Sequence, residues 1–270
     1  MADSLVVMVD SPPNLESSRE KSHRQAKSMQ DQRTTHLAEA ENSPSNIQKA
    51  IAEFVGTYIL IFAGCGAALV NEKLSITIVG IAIVAGLALT VAIYSVGHVS
   101  GGHFNPAVTI GLAVVRKIQL KLVPIYVLCQ FMAATLASLT LKLLYHDEVD
   151  IGVTVTQFTS STSYLEALVW ESIITAILML TICGVATDHR GSKDLAGAAI
   201  GISVLINVII AGPITGASMN PARSLGPAIV SGVYKNIWVY LIGPTLGAVF
   251  ASMLYTFLRV SKQAKPVDRT

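Results

Sequence analysis

Long apolar stretches alternate with short polar ones over most of this 270-residue chain. Six of the apolar stretches are long enough to cross a bilayer as a helix, which needs about 20 residues. They cover about 47–70, 76–97, 122–145, 165–186, 195–211 and 237–258. The fifth is predicted to end at 211, because Gly212 and Pro213 follow and proline disrupts a helix. The pattern predicts an all-α membrane protein with six transmembrane helices.

Two further apolar pieces are only about ten residues long, which is half of what a bilayer requires. Each begins with an Asn-Pro-Ala triplet, which is Asn105-Pro106-Ala107 in the first piece and Asn220-Pro221-Ala222 in the second. Asn favours the N-cap of a helix, and Pro is tolerated in the first helical turn. Short backbone elements at membrane depth are allowed only where they are buried in protein or line a water-filled cavity. We therefore predict two re-entrant half-helices and a cavity.

The two halves of the chain repeat. The segment Glu53-Phe54-Val55-Gly56-Thr57 near the start of the first half resembles Glu171-Ser172-Ile173-Ile174-Thr175 near the start of the second. Three spans per half is an odd number, so the second half is inverted relative to the first. Inverted repeats with half-helices that meet near the midplane form substrate paths through membranes. The prediction is one channel domain over 47–258, with repeats at about 47–145 and 165–258.

Charge sets the predicted orientation. Only 13% of the residues are charged, against roughly 25% in soluble domains. Basic residues follow the first half-helix, the fourth span and the sixth span, and by the positive-inside rule they mark the cytoplasmic side: Arg116, Lys117, Lys121, Arg190, Lys193, Arg259, Lys262 and Lys265. Both termini are then cytosolic, in an integral membrane protein that we expect in the plasma membrane.

The ends of the chain are polar. Residues 1–46 lack the apolar core of a signal peptide and have the composition of a disordered cytosolic tail. Residues 259–270 are predicted to form a second cytosolic tail. The net charge is +2 and no basic patch with interleaved aromatic residues is present, so the sequence gives no indication of nucleic-acid binding.

The predicted chemistry lies where the two half-helices begin. Facing helix N-termini place a positive partial charge of roughly +0.5 each near the midplane. The side-chain oxygens of Asn105 and Asn220 are expected to cap their own helices, which leaves their amide N–H groups free to donate into the pore. Arg223 lies one turn into the second half-helix and adds positive charge and further donors. Such a site suits a neutral, hydrogen-bonding solute and repels cations and protons.

Two acidic residues, Glu53 and Glu171, lie alone inside apolar spans. One interpretation is proton coupling, as in a secondary transporter. The other is that each accepts hydrogen bonds from the backbone of a nearby half-helix loop, and their matching positions in the repeat favour it. An enzyme with a membrane-embedded site is the third class considered. The sequence shows no nucleophile–base pair and no cluster of metal ligands, so we predict no catalysis, no cofactor and no metal.

The two motifs resemble those of a known family, the major intrinsic proteins or aquaporins. Residues 97–109 and 211–228, together with 183–188, look like the plant nodulin-26-like subfamily. The resemblance covers the chain from about 47 to 258. It implies an hourglass of six tilted helices and two half-helices, with a pore in each protomer of a homotetramer.

The resemblance also implies a second constriction on the extracellular side. By their spacing from the motifs, its four positions fall on Ala85, Val208, Ala217 and Arg223. Many members of the subfamily have Trp at the first position, where this chain has Ala85. Two small residues and a Val imply a wide opening, similar to that of members that pass boric acid and other uncharged metalloid acids. Glycerol, urea and some water are the other expected solutes, and a mainly water-selective channel is the alternative.

Overall fold

A computed structural model describes residues 22–30, 43–146 and 148–260. Within these residues the chain forms nine α-helices, which we number in chain order: α1 (22–30), α2 (Asn46–Leu74), α3 (Thr77–Ser100), α4 (Pro106–Val114), α5 (Val123–Tyr145), α6 (Tyr164–Ile182), α7 (Ala196–Thr215), α8 (Pro221–Ser231) and α9 (Ile237–Leu258). Six of them, α2, α3, α5, α6, α7 and α9, are long and apolar enough to cross a membrane. The predicted all-α architecture with six spans is therefore confirmed.

The segment before α2 is described only in part. The sequence predicts a disordered tail over 1–46, whereas residues 22–30 form the helix α1 with every residue exposed. Residues 43–46 of the predicted tail are also described, and Asn46 begins α2. Residues 1–21 and 31–42 lie outside the described residues, as do residues 261–270 of the predicted C-terminal tail. The channel domain itself begins with a cap: the Ser45 hydroxyl accepts the Gln48 backbone N–H at 3.2 Å, and the Gln48 side chain accepts the Ser45 N–H at 2.7 Å.

The end of α7 differs from the prediction. The sequence places it at 211, before the Gly-Pro pair, but the helix continues through Pro213 to Thr215. Pro213 loses the N–H that would bond to the carbonyl four residues earlier, and its ring crowds that carbonyl. The helix tolerates this cost because only two more helical residues follow. The turn ends instead at Gly216, which adopts φ +81° and donates its N–H to the Gly212 carbonyl at 3.0 Å.

The repeat is visible in the packing. Helix α2 packs on α3 and α5, and its counterpart α6 packs on α7 and α9. Each half-helix packs against a membrane span of the opposite half: α4 packs against α9, and α8 packs against α5. Matching tyrosines support both half-helix loops: Tyr126 donates its hydroxyl to the Ser100 carbonyl at 2.7 Å, and Tyr240 donates to the Thr215 carbonyl at 2.8 Å. The two halves therefore enclose one shared core.

The close approach of α3 and α7 depends on two glycines. A Cβ added to Gly201 would lie 2.0 Å from the Thr90 hydroxyl oxygen and 2.5 Å from the Gly86 carbonyl oxygen. A Cβ added to Gly86 would lie 2.6 Å from the Gly201 carbonyl oxygen. Small residues allow such close crossings between membrane helices. This crossing brings together two helices that each contribute four residues to the wall of the cavity described below.

Candidate functional site

Both half-helices begin with the predicted asparagine cap. Asn105 and Asn220 have extended backbone conformations, with φ of −157° and −150°. The Oδ1 atom of Asn105 accepts the Ala107 N–H at 2.9 Å, and that of Asn220 accepts the Ala222 N–H at 2.9 Å. In each case the intervening proline occupies the first helical position, where it has no N–H to satisfy.

The amide nitrogens of the two caps bind across the repeat. Nδ2 of Asn105 donates to the Met219 carbonyl at 2.8 Å, and Nδ2 of Asn220 donates to the Phe104 carbonyl at 3.0 Å. The prediction that these amide groups are left free is therefore wrong for one N–H on each side chain. A primary amide has two hydrogens, so each asparagine keeps a second N–H. Both asparagines line the cavity described below.

Glu53 is fully buried and accepts hydrogen bonds on both carboxylate oxygens. Its Oε1 atom accepts from the Ser100 hydroxyl at 2.6 Å and from the His103 backbone N–H at 3.0 Å. Its Oε2 atom accepts from the Phe104 backbone N–H at 2.7 Å and from the Gln130 amide at 2.8 Å. Two of the four donors are backbone groups of the first half-helix loop, which is the geometry expected for an acid that supports the loop.

Glu171 occupies the matching place in the second half and is also fully buried. Its Oε1 atom accepts from the Thr215 hydroxyl at 2.7 Å and from the Ser218 N–H at 2.9 Å. Its Oε2 atom accepts the Met219 N–H at 2.9 Å. Neither Glu53 nor Glu171 lines the cavity. The carboxylates therefore contact the loops, not the solute path.

A cavity of about 140 Å³ lies between the two halves, with walls from α2, α3, α4, α6, α7, α8 and both half-helix loops. It is elongated, because α3 and α7 each contribute a stripe of four residues spaced four apart, which spans roughly 18 Å of helix. The stripes are Ile81, Ala85, Leu89 and Ile93 on α3 and Ala196, Ile200, Val204 and Val208 on α7. The wall is mostly apolar, and its polar groups concentrate at the half-helix loops.

All four residues predicted to form the constriction lie in this wall: Ala85, Val208, Ala217 and Arg223. Arg223 is held by the loop after α5, since its Nη1 atom donates to the Thr154 carbonyl at 2.6 Å. Among the described residues no carboxylate lies within ion-pair distance of Arg223. No ion pair within the described part of the chain therefore neutralises the charge of Arg223.

The sequence reasoning missed a chain of hydroxyl groups behind Arg223. The Thr156 hydroxyl donates to Ser224 Oγ at 2.6 Å, and the hydroxyls of Ser224 and Ser218 are 2.6 Å apart. Ser218 Oγ donates to the Asn220 carbonyl at 3.0 Å. A signal was available, because Thr109 and Ser224 each follow their capping asparagine by four residues. Two hydroxyl residues at matching positions indicate a shared supporting role.

No cluster of three or more metal-ligating side chains is present among the residues that the structure describes. Six spans, two half-helices that meet at capped N-termini and an elongated cavity between inverted halves define a transmembrane channel. The sequence profile of the family described as "Major intrinsic protein" matches residues 40–255. The chain belongs to the major intrinsic protein family.

Comparison with individual relatives indicates the subfamily to which the chain belongs. The chain is 53% identical to Nodulin-26 of Glycine max over 229 residues, which are 83% of this chain and 82% of that protein. It is 50% identical to Aquaporin NIP1-1 of Oryza sativa subsp. japonica, over 80% of this chain and 76% of that protein. The resemblance to the nodulin-26-like subfamily is thus confirmed.

A solved structure supports the same fold. The X-ray structure of the aquaglyceroporin from Plasmodium falciparum matches with a TM-score of 0.71 at 29% identity, over 78% of this chain and 96% of that one. Together with the six spans, these findings establish an integral membrane channel of the aquaporin family for small solutes.

Proposed function

We propose that the protein is a passive channel for small uncharged solutes and some water, with boric acid and other metalloid acids, glycerol and urea as the solutes. The observation that carries the proposal is the composition of the cavity wall. Arg223 is the charged side chain in it, and the same wall contains the small or medium-sized apolar side chains of Ala85, Val208 and Ala217. A neutral solute with oxygen acceptors is stabilised there, whereas a cation is repelled.

We infer that protons and ions are excluded at the centre of the cavity. Two helix N-termini meet there, each with roughly half a positive charge, and the remaining amide hydrogens of Asn105 and Asn220 are donors. A water molecule between them presents its oxygen to both amides, so it cannot accept a proton from its neighbour along the path. Proton coupling through Glu53 and Glu171 is disfavoured, because both are buried away from the cavity with their oxygens already hydrogen-bonded.

Orientation and assembly belong to the same proposal. The basic residues after α4, α6 and α9 support cytosolic termini by the positive-inside rule, and residence in the plasma membrane is part of the proposal. Family membership supports a homotetramer with a pore in each protomer and no enzymatic activity. Native mass spectrometry in detergent tests the assembly, since a tetramer carries four times the 28.6 kDa of one chain.

The Ala85→Trp variant tests the proposed solute class. An indole at this position occupies space that boric acid and glycerol need, so we expect their permeability in reconstituted vesicles to fall at least about tenfold. Leu87→Trp is the matched control, because Leu87 lies on the same helix, is 57% exposed and does not line the cavity.

Stopped-flow swelling and solute uptake under an imposed pH gradient separate the alternatives. Wild-type vesicles that pass water but none of the solutes would show a water-selective channel. Uptake that depends on the pH gradient would show a coupled transporter. Unchanged boric acid and glycerol uptake in Ala85→Trp would refute the role of Ala85 in setting the solute size.

A further inference from the structure

Two buried polar atoms on α7 have no hydrogen-bond partner among the described residues: Oγ of Ser203 and Oδ1 of Asn207. Ser203 is 6% exposed, and Asn207 is fully buried. An unpaired polar group in an apolar environment is costly, and the large majority of buried side-chain polar atoms have a partner. Two such atoms one helical turn apart therefore require a common explanation.

The orientation of the Asn207 amide is fixed by its other contacts. Its Nδ2 atom donates to the Ile174 carbonyl of α6 at 2.9 Å and to Met219 Sδ at 3.3 Å. A rotated amide would place Oδ1 against the carbonyl oxygen, and neither of those atoms has a hydrogen to donate. Oδ1 is therefore the atom without a partner, and it can only accept a hydrogen bond.

Buried hydroxyl groups on other helices of this chain bond to their own backbone. Ser138 on α5 donates to the Ala134 carbonyl at 2.9 Å, and Thr175 on α6 donates to the Glu171 carbonyl at 2.6 Å. In each case the acceptor lies four residues earlier, which is the common local partner of a helical Ser or Thr. The Ser203 hydroxyl does not make this bond, so it is available to a group outside its own helix.

Ser203 and Asn207 are neighbours on one face of α7. Residues four apart on a helix have Cβ atoms about 5–6 Å from each other. A helical side chain also leans toward the preceding turn, which for Asn207 is the turn that contains Ser203. The two oxygens do not bond to each other directly. One small molecule that makes two hydrogen bonds of about 2.8 Å each spans such a separation.

The first half of the chain has alanines at the matching positions. Counted back from the glycine that follows α3 and the glycine that follows α7, Ser203 matches Ala88 and Asn207 matches Ala92. Both alanines are buried, so the first half has no side-chain polar atom to satisfy at this place. The polar pair is therefore a feature of the second half and not a requirement of the repeated helix packing.

We propose that Ser203 and Asn207 bind one buried water molecule between α7 and α6. The water donates a hydrogen to Asn207 Oδ1 and makes its second hydrogen bond with the Ser203 hydroxyl. A metal cation does not suit the site, because Ca²⁺ and Mg²⁺ take six or more oxygen ligands and the pair supplies two side-chain oxygens. Neither residue lines the cavity, although the adjacent Val204 and Val208 do. The water is thus a resident part of the protein, distinct from water that permeates.

The site supports the second half-helix loop through Asn207. The amide that the water holds in place also binds the Ile174 carbonyl and the Met219 sulfur. The Met219 carbonyl in turn accepts the Asn105 amide at the centre of the pore. The inference does not depend on which solute permeates, so a failure of the proposed function would leave it standing.

A structure of the full-length protein at a resolution that shows ordered water tests the site directly. Density is expected within about 2.7–3.2 Å of both Ser203 Oγ and Asn207 Oδ1. A map that shows other buried waters but no density between these two atoms would overturn the inference.

Ser203→Ala gives an independent test through the melting temperature in detergent. With the water bound, alanine removes one of its partners, and the melting temperature should fall by roughly 2–4 °C, the value of one neutral hydrogen bond. If the hydroxyl is instead an unpaired group, its removal should raise the melting temperature or leave it unchanged, and either result contradicts the proposal. Ala88→Ser is the matched control. No oxygen at Ala92 can share a water there, so the added hydroxyl should not raise the melting temperature.

An Asn207→Ala background separates a bridging water from a general effect of the hydroxyl. There the water has already lost its other partner, so Ser203→Ala should change the melting temperature by less than about 1 °C. An equal loss in both backgrounds would mean that Ser203 acts alone, and the shared site would be refuted. If Asn207→Ala does not fold, the density in the wild-type structure decides.

Discussion

Glu171→Gln tests the role of the buried acids most directly. The carboxylate accepts three hydrogen bonds, and two of the donors are the consecutive backbone N–H groups of Ser218 and Met219, immediately before the capping asparagine. A glutamine can keep its oxygen toward Thr215 and Ser218. Its NH₂ group then faces the Met219 N–H, and two buried donors are left without an acceptor.

The expected cost follows from that count. Each unsatisfied buried polar group costs roughly 1–3 kcal/mol, so the variant should lose about 4 kcal/mol of folding free energy. For a domain of this size, 1 kcal/mol corresponds to roughly 2–4 °C in the melting temperature. The purified variant should therefore melt about 8–16 °C below wild type in detergent, and its solute permeability should fall because the second half-helix loop is displaced.

Glu166→Gln is the matched control on the same helix. Glu166 caps the N-terminus of α6 from an exposed position, and its Oε2 atom accepts the Ser163 N–H at 2.7 Å. Glutamine preserves that cap through its amide oxygen, so this variant should melt close to wild type. Suppose Glu171→Gln instead melts like Glu166→Gln and loses only its response to a pH gradient. Glu171 would then be a proton carrier, and the loop-support argument would be refuted.

Two further predictions concern the helix crossing and the loop after α6. Gly201→Ala should prevent folding or lower the melting temperature strongly, because the new methyl would lie 2.0 Å from the Thr90 hydroxyl oxygen. Gly64→Ala should leave the melting temperature unchanged, because no atom lies within 4 Å of the added Cβ. Equal melting temperatures of the two variants would contradict the close crossing of α3 and α7. Arg190 binds the buried Asp188 carboxylate at 2.7 Å and holds the pKa of Asp188 well below its usual range. A carboxylate whose pKa is lowered by folding stabilises the protein fully when the pH is above its pKa in the unfolded chain. This stabilisation is lost as the pH falls to the lowered pKa of the folded state. The Nδ1 atom of His189 also lies 3.4 Å from Asp188 Oδ1, so wild type and Asp188→Asn are compared in a His189→Gln background. There the melting difference should be the same at pH 8 and pH 5, and a difference that shrinks toward pH 5 would show that Asp188 titrates in that range.

Local chemistry made much of this fold predictable. The lengths of the apolar segments separate spans from half-helices, and the Asn-Pro pairs mark both helix starts, because capping depends on residues adjacent in sequence. The end of α7 differs from the prediction because the helix is terminated by Gly216, three residues after Pro213, and not by the proline itself. A proline in the last turn removes very little hydrogen bonding.

The contacts between the halves could not be predicted in the same way. Asn105 and its acceptor Met219 are separated by 114 residues, and no local pattern in the sequence pairs an amide with a particular distant carbonyl. The interaction of Arg223 with the Thr154 carbonyl is hidden for the same reason, since a backbone acceptor has no sequence signature. The acids were easier, because Glu53 and Glu171 repeat at matching positions and the repeat itself indicated a common role.

The exchange of partners between the halves has a consequence for biosynthesis. Helix α4 packs against α9, and Asn105 finds its acceptor only when Met219 has been made. At about 5–20 residues per second of synthesis, the Asn105 side-chain amide waits roughly 6–23 s for its acceptor, which lies 114 residues later in the chain, and α4 waits longer for α9. During that interval the nascent first half carries α4 in or near the membrane without Met219 and α9, its partners from the second half. A chain that terminates after α5 should therefore be recognised as incomplete and degraded, and the centre of the pore should be among the last parts of the molecule to form.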